Sequence, residues 1–175
     1  TLCEALSEAL GCPYVSGGEV FREIADERDM TLTELTAKTS ETDEIDRALD
    51  RRLRTIAEKW GTANKPFILE SRLAGWLAGN RADIRIWLDA PEEVRVERTA
   101  DREELEAEMR VREVIEEGRY ESYYGIDVSD QSIYDLSVNT ARWSPEGVLD
   151  IVLTAIDRYD PQADEGAFPT PEPDI

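Results

Sequence analysis

Ile84-Arg85-Ile86-Trp87-Leu88-Asp89 is a short apolar run that ends in a charge, and Ala90-Pro91 leads from it into a polar, helix-favouring stretch. A buried strand reads this way. Pro91 suits the first turn of a helix, because the N–H it lacks has no intrahelical partner there. The same punctuation recurs upstream, where Phe67-Ile68-Leu69-Glu70 is another compact apolar strand with a terminal charge. Tyr14-Val15 is a short strand between two helices. The first of these carries Leu2, Ala5, Leu6, Ala9 and Leu10 at helical spacing and is stopped by Gly11 and Pro13. The second begins at Ser16-Gly17-Gly18-Glu19 and carries Val20, Phe21, Ile24 and Ala25.

A longer helix is expected from about Thr42 to Trp60, with Ile45, Leu49, Leu53, Ile56 and Ala57 inward and Gly61 ending it. Tyr134 to Val138 is a last strand, and Ser144-Pro145 opens a closing helix with Val148, Ile151, Val152, Ala155 and Ile156 inward. Strands alternating with helices predict an α/β fold, a parallel sheet flanked by helices.

The 175 residues suit one domain with a real core. With 40 acidic against 20 basic residues, the formal charge is -20, and only Lys38, Lys59 and Lys65 are lysines. So acidic a surface repels nucleic acid and anionic membrane, and no apolar run approaches membrane-spanning length. Self-repulsion of this size points to a protein of a salt-rich cytoplasm, where salt screens it. The melting temperature is therefore expected to rise along a KCl series; a flat or falling profile would contradict the reading. There is no His, which excludes catalysis through a histidine base. Cys3 and Cys12 are too few for a structural zinc site and read as small core residues in a reducing compartment.

Positive charge is scarce, so its clusters matter. Arg102, Arg110, Arg112 and Arg119 lie on one predicted helical segment that runs into Tyr123-Tyr124-Gly125-Ile126-Asp127. The guanidinium fork fits phosphate oxygens, although Glu108 and Arg112 could equally form an ordinary i,i+4 pair. Arg47, Arg51, Arg52 and Arg54, set among Asp43, Glu44, Asp46 and Asp50, read as a solvated ion-paired face. Trp76 reads as packing.

Glu70 and Asp89 each close a strand, where sites in open α/β sheets lie, and either could hold Mg²⁺ or its water shell. Asp89 before Ala90-Pro91 also suits helix capping. Ser16 and Glu19 have capping-box spacing. Gly17-Gly18 at the same helix start lets an anionic ligand reach the backbone N–H groups, with Phe21-Arg22 one turn on.

Three segments, Ser16-Gly17-Gly18-Glu19-Val20-Phe21-Arg22, then Glu70-Ser71-Arg72-Leu73-Ala74-Gly75-Trp76-Leu77, then Tyr120-Glu121-Ser122-Tyr123-Tyr124-Gly125-Ile126-Asp127, together resemble archaeal-type cytidylate kinase. Ile133-Tyr134-Asp135-Leu136 and Asn139-Thr140-Ala141-Arg142-Trp143 are similar to that family too. The resemblance implies a P-loop nucleoside monophosphate kinase fold and transfer of the γ-phosphoryl of ATP to CMP or dCMP, with Mg²⁺. The implied enzyme is a cytoplasmic monomer.

By the same resemblance, Ser16, Gly17 and Arg22 hold the monophosphate and Arg72 reaches its phosphate or base. Arg112 and Arg119, two helical turns apart, belong to a lid at about 99–119 and face the transferring phosphoryl. Glu70 is the acidic position that meets the metal, through water. Residues 1–160 form the kinase domain, with 16–60 as its monophosphate-binding region, and 161–175 are expected to be an acidic, Pro-rich disordered tail. Arg98, Arg102 and Arg110 stay open as further nucleotide contacts, because the segment between Arg102 and Arg112 is shorter than the family's.

The Gly-rich loop G-x-x-x-x-G-K-[ST] is absent, and the resemblance puts it just before the first helix, so Thr1 stands next to the ATP phosphates. The expectation is a truncated chain of weak or no activity. Its missing strand belongs between the strands at 67–70 and 84–89, which leaves both as exposed edges. Other readings are a small P-loop kinase acting on AMP, UMP or shikimate, or a non-catalytic nucleotide-binding domain.

Overall fold

The computed structural model describes residues 1–99 and 116–175. Among these the elements run α1 (Leu2–Leu10), β1 (Tyr14–Ser16), α2 (Gly17–Glu27), α3 (Leu32–Thr39), α4 (Glu44–Thr62), β2 (Ile68–Glu70) and α5 (Ala74–Ala78). They continue with β3 (Ile86–Asp89), α6 (Glu92–Thr99), the helical stretch α7 (116–124), β4 (Leu136–Asn139) and α8 (Pro145–Arg158). The α/β alternation is as expected. Arg102, Arg110 and Arg112 lie outside the described residues, as does most of the segment read as a lid.

The strands form two parallel pairs, and the strands ending at Glu70 and Asp89 each have an unpaired edge among the described residues, as the sequence leads one to expect. In one, Tyr14, Val15 and Ser16 of β1 stand beside Ile68, Leu69 and Glu70 of β2. In the other, Ile86 to Asp89 of β3 stand beside Leu136 to Asn139 of β4. Each strand therefore leaves one edge without a ladder partner among the described residues. Parallel pairing needs crossover connections, and the helices between paired strands supply them.

The chain divides into two compact units, one of Thr1, Cys3–Ala82 and Thr170–Ile175, the other of Leu2 with Asp83–Pro169. In the first, α4 is the central helix: Ile45, Leu53 and Ala57 are wholly buried, packed with Val20 and Ile24 of α2, Leu35 of α3 and Leu77 of α5. Arg52 of α4 reaches Glu27 at 2.8 Å and Glu23 at 3.7 Å, and Arg28 reaches Glu44 at 2.9 Å, so ion pairs border the α2–α4 contact. Arg47 with Asp43, at 2.7 Å, is the kind of exposed helix pair that the sequence suggests.

In the second unit Ile126, Val128, Ile133, Val138, Val148 and Val152 are buried. Trp87 and Tyr134 pack with ring centroids 5.2 Å apart, and burial pushes the Tyr134 phenol up to about 12. Arg85 is only 3% exposed. Its backbone N–H donates to Asp135 Oδ2 at 2.7 Å and its Nη2 donates to the Phe168 carbonyl at 2.7 Å. No helix among the described residues is long and apolar enough to cross a membrane.

Three details depart from the sequence reading. α4 runs through Gly61 to Thr62, because the glycine serves close approach and not a helix stop: a Cβ there would stand 3.2 Å from Arg81 Cβ. α3 was not anticipated, although its capping box is plain: the Thr31 hydroxyl accepts from Glu34 N at 3.2 Å and Glu34 accepts from Thr31 N at 2.8 Å. The stretch 161–175 has no helix or strand, in keeping with its composition, yet Thr170 is buried and Glu172 pairs with Arg54 and Arg81.

Candidate nucleotide-binding site

The carboxyl ends of β1 and β2 lie side by side, with Ser16 and Glu70 in register, and α2 starts directly from Ser16. Ser16 is the N-cap: its hydroxyl accepts from Glu19 N at 3.1 Å, and Glu19 reaches back to Ser16 N at 3.4 Å. The first N–H groups of α2 lack intrahelical acceptors, and the helix dipole adds partial positive charge there. Gly17 is packed against the turn after β2. A Cβ on it would come 3.1 Å from Ser71 Cβ and 3.6 Å from the Glu70 carbonyl, with Leu53 Cδ1 behind at 3.7 Å. The neighbouring Gly18 leaves open backbone, and Arg22 folds back over it: its Nη2 lies 3.9 Å from where a Gly18 Cβ would stand. Bare backbone, a dipole and a guanidinium thus meet at one point, a donor set suited to a phosphate group.

Glu70 supplies negative charge to the same corner. Much of its surface is exposed, but its carboxyl end is partly desolvated, and Glu19 is close enough to repel it. Burial first and Glu19 second raise its pKa above the ordinary carboxylate value. The open surface limits the size of the effect, since water screens what it can reach. A carboxyl group whose pKa is raised by folding costs stability as pH climbs through the window between its unfolded and folded values, and that cost persists at higher pH. Glu70→Gln is therefore expected to raise the melting temperature at pH 7 and to leave it unchanged near pH 4, about the unperturbed carboxylate range. Thermal melts at the two pH values check this. A variant less stable at pH 7 would contradict it.

The start of α1 belongs to the same neighbourhood. Thr1 caps α1 in a box with Glu4. The Tyr14 hydroxyl bridges Glu4, at 3.5 Å, and Glu19, at 3.3 Å. Burial, and then the charge of Glu70, push the Cys3 thiol up to about 11, so it stays protonated and unreactive at neutral pH.

The fold thus gathers Ser16, Gly17, Arg22 and Glu70. Arg72 follows two residues after β2 and is half-buried. Arg119 is half-buried on α7 in the second unit, and Arg112 lies outside the described residues. The Arg98 guanidinium donates to Thr140 Oγ1 at 2.9 Å and to the Thr140 carbonyl at 3.1 Å. Asp89 accepts from the N–H of the next residue, Ala90, at 2.8 Å. Trp76 is 6% exposed and packs in the core.

Sequence reasoning passed over Ser71, which presses on Gly17 and whose Oγ is buried without a hydrogen-bond partner among the described residues, and over Tyr14. The placing of Ser71 between Glu70 and Arg72 was the available signal. No cluster of three or more metal-binding side chains is found among the described residues.

Residues 1–123 match a family model described as an AAA domain. The chain is 51% identical over 174 residues to the cytidylate kinase of Natronomonas pharaonis, covering 97% of this chain and 88% of that protein. It is 52% identical, with the same coverage, to the cytidylate kinase of Haloquadratum walsbyi. Among solved structures, an uncharacterized protein from Eubacterium ventriosum superposes with a TM-score of 0.64 over 90% of both chains; at 16% identity this speaks for the fold alone. With relatives this similar along nearly its whole length, the chain belongs to the cytidylate kinase family.

Proposed function

We propose that the protein transfers the γ-phosphoryl of ATP to CMP or dCMP, giving the diphosphate and ADP. The observation that carries the reading is the meeting of Gly17, Gly18 and the Arg22 guanidinium at the N-terminus of α2, beside Glu70. Ser16 and Gly17 offer backbone donors to the monophosphate, Arg22 neutralises it, and Arg72 contacts its phosphate or base. The region 16–60 is the acceptor side. Arg112 and Arg119 are assigned to the transferring group, at the segment 99–119, and Thr1 to the donor phosphates. Such transfer depends on positioning and charge stabilisation, which suits a chain with no His.

Mg²⁺, when bound, neutralises the charge on the donor phosphates, and Glu70 would hold it through water. Glu70→Gln should then lower transfer while raising stability at neutral pH. The acidic surface fits a halophilic, monomeric enzyme of the cytoplasm with no nucleic-acid or membrane partner.

The experiment is a panel of acceptors offered with ATP to the protein. Transfer to CMP and dCMP well above AMP, UMP and shikimate is the expected result. Preference for one of the others would replace the acceptor. Absence of transfer to any of them would leave a non-catalytic nucleotide-binding domain.

A further inference from the structure

α4 carries Leu53 and Arg54 side by side, and they face different partners. Leu53, wholly buried, backs Gly17 in the candidate monophosphate site. The Arg54 side chain is only 12% exposed, and its Nε donates to Glu58 at 2.9 Å while its Nη2 lies 3.2 Å from Glu172. Arg81 lies across Gly61, where any Cβ would crowd its stem, and its head reaches Glu172 at 3.1 Å and Glu58 at 3.6 Å. The four side chains close a ring, Arg54–Glu58–Arg81–Glu172. Three of them come from α4 and the turn after α5. The fourth comes from the last residues of the chain, two positions beyond the buried Thr170.

In a chain of charge -20, an acidic terminal segment is repelled by most surfaces it meets. Here it is seated on two arginines, and the glycine at 61 is what lets the second one approach.

We propose that Glu172 is a positioning residue: the segment 170–175 straps α4 through Arg54 and Arg81, and this holds Leu53 behind Gly17. Docking of the strap thereby sets the affinity for the nucleoside monophosphate without touching it. The strap itself stands on geometry alone; its effect on the monophosphate rests on the reading under Proposed function.

The test combines amide hydrogen exchange with kinetics in Glu172→Gln, Arg81→Gln and the double variant, at one fixed KCl concentration. Amides of 55–62 are expected to exchange about 2- to 5-fold faster in either single variant, the scale of one surface-type ion pair. The double variant should fall short of the sum of the singles, because both remove the Glu172–Arg81 link while each also loses a pairing of its own, Glu172 with Arg54 and Arg81 with Glu58. Glu172→Gln should raise KM for CMP roughly threefold, with kcat and KM for ATP within about twofold, on the same scale. Unchanged exchange, or additive single effects, overturns the strap even in an active enzyme. Faster exchange with an unchanged KM for CMP overturns the positioning role. A wild-type protein that phosphorylates no monophosphate overturns the functional reading, and the positioning role with it, while exchange still decides the strap.

Discussion

Arg119→Ala is expected to lower kcat with CMP by roughly two to three orders of magnitude, the cost of removing one preorganised donor from a developing charge. Phosphoryl transfer asks little covalent chemistry of the protein, so the rate depends on charge placed around the transferring group. In a chain with twice as many acidic as basic residues, that charge must be concentrated where it acts. Arg119 sits half-buried on α7. Arg119→Lys should recover little, because an ammonium cannot present the paired donors of a guanidinium. Steady-state kinetics with CMP, and far-UV circular dichroism to check the fold, decide the matter. A kcat within threefold of the parent would remove Arg119 from the reaction.

Leu53→Ala is expected to cost about 3 kcal/mol of stability, in the range found for wholly buried leucines. For a domain of this size that is a fall of roughly 6–12 °C in melting temperature. Leu53 has no exposed surface, and α2, α3 and α5 all pack on the helix that bears it, so the cavity has few ways to collapse. The variant should also bind CMP less well, since Leu53 Cδ1 supports the backbone at Gly17. Thermal melting and the KM for CMP measure the two effects. A loss of stability with an unchanged KM would separate the core from the site.

Much of this was legible in the chain. The capping box at Ser16 is local: a hydroxyl, and a carboxylate three residues on, satisfy one another's backbone whatever lies elsewhere, and the same signal at Thr31 was there but went unread. The strands at Glu70 and Asp89 were readable for the same reason, an apolar run with a charge at its end. The strap was not readable. Composition alone made 161–175 a tail, because Pro and acidic residues bury little. Whether Glu172 finds two arginines depends on residues about ninety and more positions away in sequence.

Gly61 was misjudged for a related reason. A glycine near a helix end usually stops it. Here it is the stem of Arg81, distant in sequence, that requires the missing Cβ.

By itself the sequence determined the α/β class, the starts of α1, α2 and α8 and the three segments that mark the family, because each rests on contacts within a few residues or on a motif. Only the tertiary structure decided that Arg22 folds back over Gly18, that Glu70 is raised beside Glu19, and that Arg54 faces the chain's own end. Each of these depends on which surfaces are brought together and how much water they exclude. That is a property of the packed chain, which local periodicity does not encode.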